Sequence, residues 1–223
     1  MITSLATDRS NETSDMNYEQ IVEFVGNFFE SHDPIGTHLV YRYPFRKRFE
    51  HCQRCAMWAA RIAQAEGVDV ELVKISSLFH DIGKAVSAEE GHGDIGATIC
   101  DEYLASIGYD ESRRSRIVYI VRNHNRHSQP AASREEEVVR DADLLDEVGA
   151  ITILWDTMAC AGGKDPSYNK ARDKIASGLA RLRAELPGHL YTLTARRTVE
   201  DRISFVESFL KNLDYELGLR ESV

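Results

Sequence analysis

The chain comprises 223 residues, 43% of them hydrophobic and 28% charged, which suits one globular domain with an extended core and leaves little for a second full domain. A formal net charge of −9 disfavours a nucleic-acid polymer as the main partner, although a local basic pocket could still receive a small phosphorylated molecule. No run approaches the roughly 18 consecutive apolar residues of a membrane span, and the opening residues lack a signal peptide's apolar region, so a cytoplasmic protein without membrane attachment is expected.

Residues 1–16 are rich in Ser, Thr, Asn and Asp without apolar periodicity, which predicts a flexible N-terminal tail, with residues 17–223 forming a single helical domain. From Asn17, the positions Tyr18, Ile21, Val22, Val25, Phe28 and Phe29 recur at spacings of three and four, the signature of an amphipathic helix that Asp33-Pro34-Ile35-Gly36 then ends. Further helical patterns fall at about 46–66, 69–82, 92–107, 111–125, 134–148, 149–161, 168–186 and 195–217. Short breaks at Gly67, Gly91 to Gly93, Gly108, Ser128-Gln129-Pro130, Gly162-Gly163 and Pro187-Gly188 separate them, and no segment alternates as a strand. The expected fold is therefore all-α, a compact helical bundle. Cys52, Cys55, Cys100 and Cys160 contain one Cys-x-x-Cys pair, inside a helical pattern and without a second pair, which favours structural thiols over a zinc or redox site.

His80-Asp81 places two metal-binding side chains side by side against an apolar segment. Neighbours on a helix point about 100° apart, so other segments must complete any site built on them. His51 continues an apolar stripe through Cys55, Trp58, Ala59 and Ile62; His124 follows Ile117, Ile120 and Val121; Asp143 follows Val139 by one turn. His92 opens a helix whose face carries Gly96, Ile99 and Tyr103, where the glycine admits a close neighbour. Singly, each imidazole has many non-metal uses. Together they form a donor set suited to one or two divalent ions among Mn, Fe, Co, Ni and Zn, and less suited to an all-oxygen calcium site.

At these residues the chain resembles the HD superfamily of metal-dependent phosphohydrolases, and in particular its small single-domain bacterial members. Glu50-His51-x-x-Arg54, His80-Asp81-Ile82-Gly83-Lys84 and Asp141-Ala142-Asp143-x-Leu145-Asp146-x-x-Gly149-Ala150 carry the likeness, which extends over about residues 18–217. The resemblance implies a helical domain of the HD type in which His51, His80, Asp81 and Asp143 bind metal. It selects Asp143 over Asp141 because the family shows Ala-Asp before a leucine-containing helix. It also implies that His92 and His124 hold a second ion, with Asp81 bridging the two.

The implied activity is hydrolysis of a nucleotide or another small phosphorylated metabolite by metal-activated water, with Asp81 and Lys84 in catalytic roles. Lys84 meets substrate phosphate in this reading, assisted by Arg54 and by Arg46 from the basic cluster Arg42, Arg46 and Arg48. Two alternatives stay open: a mixed-valence di-iron oxygenase of the HD type, which the enlarged histidine set would serve, and a nucleotide-binding HD module without turnover. A homo-oligomer is compatible with either.

Overall fold

The apolar spacing is realised as helix throughout the computed structural model, which describes residues 6–32, 45, 47–87 and 91–219. In chain order the elements are α1 (Ala6–His32), α2 (Arg48–Glu66), α3 (Val70–Phe79), a 3-10 turn (Ile82–Ala85), α4 (His92–Ser106), α5 (Glu111–Asn123), α6 (Arg134–Leu145), α7 (Ala150–Ala161), α8 (Tyr168–Glu185), a second 3-10 turn (Leu186–Gly188) and α9 (Leu193–Glu216). No strand occurs among the described residues, in keeping with the expected all-α class. None of their helices is long and apolar enough to cross a membrane. The helix expected from Asn17 already begins at Ala6, inside the stretch read as a tail. The expected break at Asp33-Pro34-Ile35-Gly36 lies outside the described residues, as do Arg42 and Arg46.

Helix ends follow side-chain chemistry. Asp110, Ser133, Ser167 and Thr192 stand before α5, α6, α8 and α9, and each accepts a hydrogen bond from a backbone N–H of the first turn that has no partner within the helix. At the end of α2, Gly67 takes φ +68° and the Val68 N–H returns to the Ala63 carbonyl at 2.9 Å, a closure that a residue bearing a Cβ adopts only with strain.

The chain divides into two compact units, Met1–Ala56 with Glu71–Asn125, and Met57–Val70 with Arg126–Val223. In the first, Ile21, Val25, Leu72, Val73, Ile75, Leu78, Phe79 and Leu104 are buried, each contributing roughly 1.5–3 kcal/mol of apolar transfer. Phe24 stacks on Tyr103 with ring centroids 3.7 Å apart and also touches Phe79, which ties α1 to α3 and α4. In the second, Ile62, Val138, Val139, Leu145, Ile175, Ala195, Val199 and Val206 form the core. A buried polar network crosses it: Arg140, 1% exposed, donates to Glu136 at 2.5 Å and to the Gln129 carbonyl at 2.7 Å. Burying a guanidinium is tolerable only because such partners replace its water.

Within the second unit, Glu66 closes α2 onto α9. Its carboxylate accepts from the Thr194 N–H at 2.9 Å and the Thr194 hydroxyl at 2.7 Å, and pairs with Arg134 at 3.0 Å. The Thr194 hydrogen bonds, followed by Arg134, hold the Glu66 pKa below its ordinary value of 4.5. A lowered folded-state pKa means that the stabilisation is present above pH 4.5 and fades as the pH falls through the folded value. Glu66→Gln should therefore melt roughly 2–4 °C below the parent at pH 7, the shift that about 1 kcal/mol produces in a domain of this size. Thermal melts across an acid series check this: the gap between the two proteins should close below the carboxylate range.

Candidate metal centre

α3 stops at Phe79, so His80 and Asp81 stand in a turn rather than on the helix expected to reach residue 82. Asp81 has φ −104° and ψ 7°, off the α-helical values and in the bridge region that many active-site residues occupy. Steric constraint holds the turn here. A Cβ on Gly83 would fall 2.0 Å from the His92 carbonyl oxygen, and one on Gly93 would fall 2.6 Å from the Arg122 carbonyl, so the 3-10 turn, α4 and the end of α5 meet backbone to backbone. That contact brings His92, at the start of α4, and His124, immediately after α5, against Asp81.

Asp81 is the hub. One carboxylate oxygen, Oδ2, lies 3.7 Å from His51 Nε2 and 3.6 Å from His80 Nε2; the other, Oδ1, lies 3.7 Å from His92 Nε2 and 3.5 Å from His124 Nε2. Arg48 donates to Oδ2 at 2.6 Å, and the Lys84 ammonium lies 2.9 Å from Oδ2 and 2.7 Å from Oδ1. All four histidines are at most 9% exposed, and Asp81 is 1% exposed. Burial is the largest influence on the Asp81 carboxyl and opposes its charge, but the neighbouring His80, Arg48 and Lys84 outweigh it and hold the pKa well below the usual range. The His92 pKa is also lowered, by burial first and then by the adjacent Lys84 charge, to about 4, so it is neutral at pH 7 as a metal ligand must be.

The ring orientations fit a metal. His80 Nδ1 lies 2.6 Å from the Ser77 carbonyl and His124 Nδ1 lies 2.7 Å from the Val121 carbonyl. A carbonyl only accepts, so both Nδ1 atoms carry the proton and both Nε2 atoms present a lone pair to the site. His51 and His80 Nε2 are 3.2 Å apart, and His92 and His124 Nε2 are 3.3 Å apart. Two nitrogens bound about 2.1 Å from one ion stand roughly 3.0–3.4 Å apart in octahedral or tetrahedral geometry. The donor atoms of Asp81, His92 and His124 lie within 4.8 Å of one another, and those of His51, His80 and Cys55 likewise. The residues present therefore fit a divalent ion, and a His/Asp cluster that could hold one is formed.

Of the residues expected from the sequence, the first unit thus gathers His51, His80, Asp81, His92, His124 and Lys84. Asp143 belongs to the second unit, half-buried on α6. Asp141, set aside as a ligand, is fully buried and accepts from the Tyr191 and Thr192 N–H groups and the Thr192 hydroxyl at 2.7–2.9 Å. Arg54 is half-buried on α2, whereas Arg46 falls outside the described residues. Two neighbours named in the sequence were not assigned to the site. Arg48, named only within the basic cluster and given no role, donates to Asp81, and its position one turn before His51 was the available signal. Cys55 Sγ lies 3.6 Å from His51 Nδ1, a four-residue spacing on α2 that places both side chains on one face.

The profile of the HD domain matches residues 48–148. YpgQ of Bacillus subtilis, an uncharacterized protein, is 25% identical over 174 residues, which cover 76% of this chain and 83% of YpgQ. The crystal structure of YpgQ in complex with ADP has a TM-score of 0.64 at 22% identity, covering 92% of this chain and 96% of that one. A predicted HD-superfamily hydrolase from an uncultured Thermotogales bacterium gives a TM-score of 0.63 at 27% identity, covering 89% and 92% of the two chains. Ribonuclease Y of Desulforamulus reducens is 31% identical over 150 residues, but these are 60% of this chain and 28% of that relative.

The glycine contact offers a test of this geometry. Gly83→Ala must displace backbone rather than a flexible side chain, and should cost about 1–3 kcal/mol in thermal or urea unfolding. It should also lower the metal retained on dialysis, measured by elemental analysis. Gly108→Ala, where a Cβ meets no atom within 4 Å, should leave metal content at the parent level.

Proposed function

The chain belongs to the HD superfamily, and we propose that it is a divalent-metal-dependent phosphohydrolase acting on a nucleotide or another small phosphorylated metabolite. The observation that carries this reading is the Asp81 carboxylate, held charged between two imidazole pairs and touched by both Lys84 and Arg48. In the proposed assignment His51, His80, Asp81 and Asp143 would hold one ion, and His92 and His124, with Asp81, would hold a second; the family order supports Asp143, and the donor geometry supports the others. A divalent ion bound there lowers the pKa of a coordinated water toward neutrality and neutralises phosphate charge.

The protein's own groups do the remaining work. Asp81 stays ionised and so orients the ligands and accepts hydrogen bonds from the attacking water. Lys84, whose side chain is 22% exposed, is the cation best placed to follow a phosphate oxygen as charge develops on it. Arg48 braces Asp81 from the other side with a side chain 8% exposed. Arg54 and Arg46 are assigned to substrate phosphate on the strength of the sequence pattern. Two likenesses support a phosphate substrate: the similarly folded YpgQ was crystallised with ADP, and the ribonucleases among the relatives act, by their name, on RNA. The pair of cations on the bridging carboxylate favours an anionic substrate over the di-iron oxygenase alternative, which shares the histidines.

A panel of nucleoside mono-, di- and triphosphates and simple phosphate esters, assayed with Mn, Co, Ni, Zn or Fe, tests the proposal. Phosphate release should require metal, stop with EDTA, and fall roughly 100-fold or more in His80→Ala and Asp81→Asn. Lys84→Met should lower kcat/KM by about 10–100-fold while metal content is retained. Oxygen uptake with an iron signal and no phosphate release would replace hydrolysis with oxidation; tight nucleotide binding without turnover under every metal would leave a binding module.

A further inference from the structure

α9 lies beyond residues 48–148, the part of the chain that the HD domain matches, yet it grips α6 on both sides of Asp143. Two residues before Asp143, the Asp141 carboxylate accepts from the Tyr191 N–H at 2.9 Å and from the Thr192 N–H and hydroxyl at 2.8 and 2.7 Å, where Thr192 is the residue that caps α9. Two residues after it, the Arg202 guanidinium donates to the Leu145 carbonyl, and it also reaches the Val148 carbonyl at 3.1 Å. Leu145 is the last residue of α6, whose final oxygens have no partner within the helix, and Val148 lies in the turn that follows. The guanidinium is itself fixed, with its carbon 4.0 Å from the centre of the Trp58 ring. Gly149, at φ +103°, keeps the chain against its stem; a Cβ there would come within 3.3 Å of Arg202 Cγ and Cδ.

We infer that α9 is a splint that sets the axial and rotational position of Asp143, with Thr192 and Arg202 as its positioning residues. A helix segment held by its backbone carbonyls at one end and by a buried carboxylate at the other cannot slide or rotate without breaking charge-assisted hydrogen bonds. Arg202 thus acts through Asp143 and touches neither substrate nor ion. The inference rests on the reading of Asp143 as a metal ligand, and adds to it that the family's metal-binding segment depends in this chain on a helix outside it.

The experiment measures Mn(II) and Zn(II) affinity and stoichiometry by chelator competition on the full-length chain, for Asp143→Asn, Arg202→Met, Arg202→Lys and the double variant Asp143→Asn/Arg202→Met. Removing a residue that orients a ligand commonly weakens metal binding about 10–100-fold, and Arg202→Met should fall in that range. Arg202→Lys keeps the charge but loses the fork and the stacking surface, so it should be intermediate, and it serves if the methionine variant does not fold. In the double variant the loss should match Asp143→Asn alone, because Arg202 has nothing left to position. Arg172→Met, which breaks the Arg172–Asp214 pair between α8 and α9, should lower Tm without shifting metal affinity. Additive losses in the double variant, or unchanged affinity in both Arg202 variants while Asp143→Asn weakens binding, would overturn the splint. Unchanged affinity in Asp143→Asn would instead remove Asp143 as a ligand, and the splint's purpose with it.

Discussion

A single buried carboxylate governs the first unit of this protein. Asp81 is nearly inaccessible to water, and an isolated charge in that position would cost several kcal/mol or simply take up a proton. It stays ionised because Arg48 and Lys84 lie within 2.6–2.9 Å, and four imidazoles come within 3.5–3.7 Å of the same two oxygens. Those partners come from α2, from the turn after α3, from the start of α4 and from the end of α5. Four separate stretches of backbone must therefore converge on two oxygen atoms. The glycines at 83 and 93 serve that convergence, since they allow backbone contacts that any Cβ would prevent.

The histidine geometry suits coordination. His80 and His124 have their Nδ1 protons committed to backbone carbonyls, so their Nε2 lone pairs face the Nε2 atoms of His51 and His92 at 3.2 and 3.3 Å. An Nε2–H on His51 or His92 would donate into those lone pairs, and a cation would instead draw the same nitrogens in as ligands. Neutral His92 and ionised Asp81 are the protonation states that such coordination uses.

The second unit solves a different problem. Its Arg140–Glu136 pair and the Asp141–Thr192 contacts are buried ionic and polar interactions with every visible role in holding helices and none in touching a reacting group. Such networks are poor sources of net stability compared with apolar side chains of the same size, but they accept only one alignment of the helices they join. For α6, which carries Asp143 between two of these anchors, alignment is the property that matters.

Much of this could be read from the residues. The positions of α2 and α4 to α9 follow from spacings of three and four and from capping residues, because burial of one helical face is a local, periodic demand. The His-Asp dipeptide, the flanking histidines and Lys84 were also legible, since few other uses place those residue types together on apolar faces. What escaped was short-range geometry. Nothing local showed that α3 ends at Phe79, where the turn that follows packs the backbone of Gly83 against that of His92. The cluster of arginines around the start of α2 could not be ranked, because charge alone does not say which guanidinium reaches a carboxylate 33 residues away; among the described residues Arg48 is seen on Asp81. Asp146 could have been a solvated charge and is buried. The sequence by itself determined the helical class and the donor set, because periodicity and side-chain chemistry are properties of residues. Only the tertiary structure decided which lone pairs face one another, which cation braces the carboxylate and which helix holds α6 in place, because those depend on distances of a few ångströms between segments far apart in the chain.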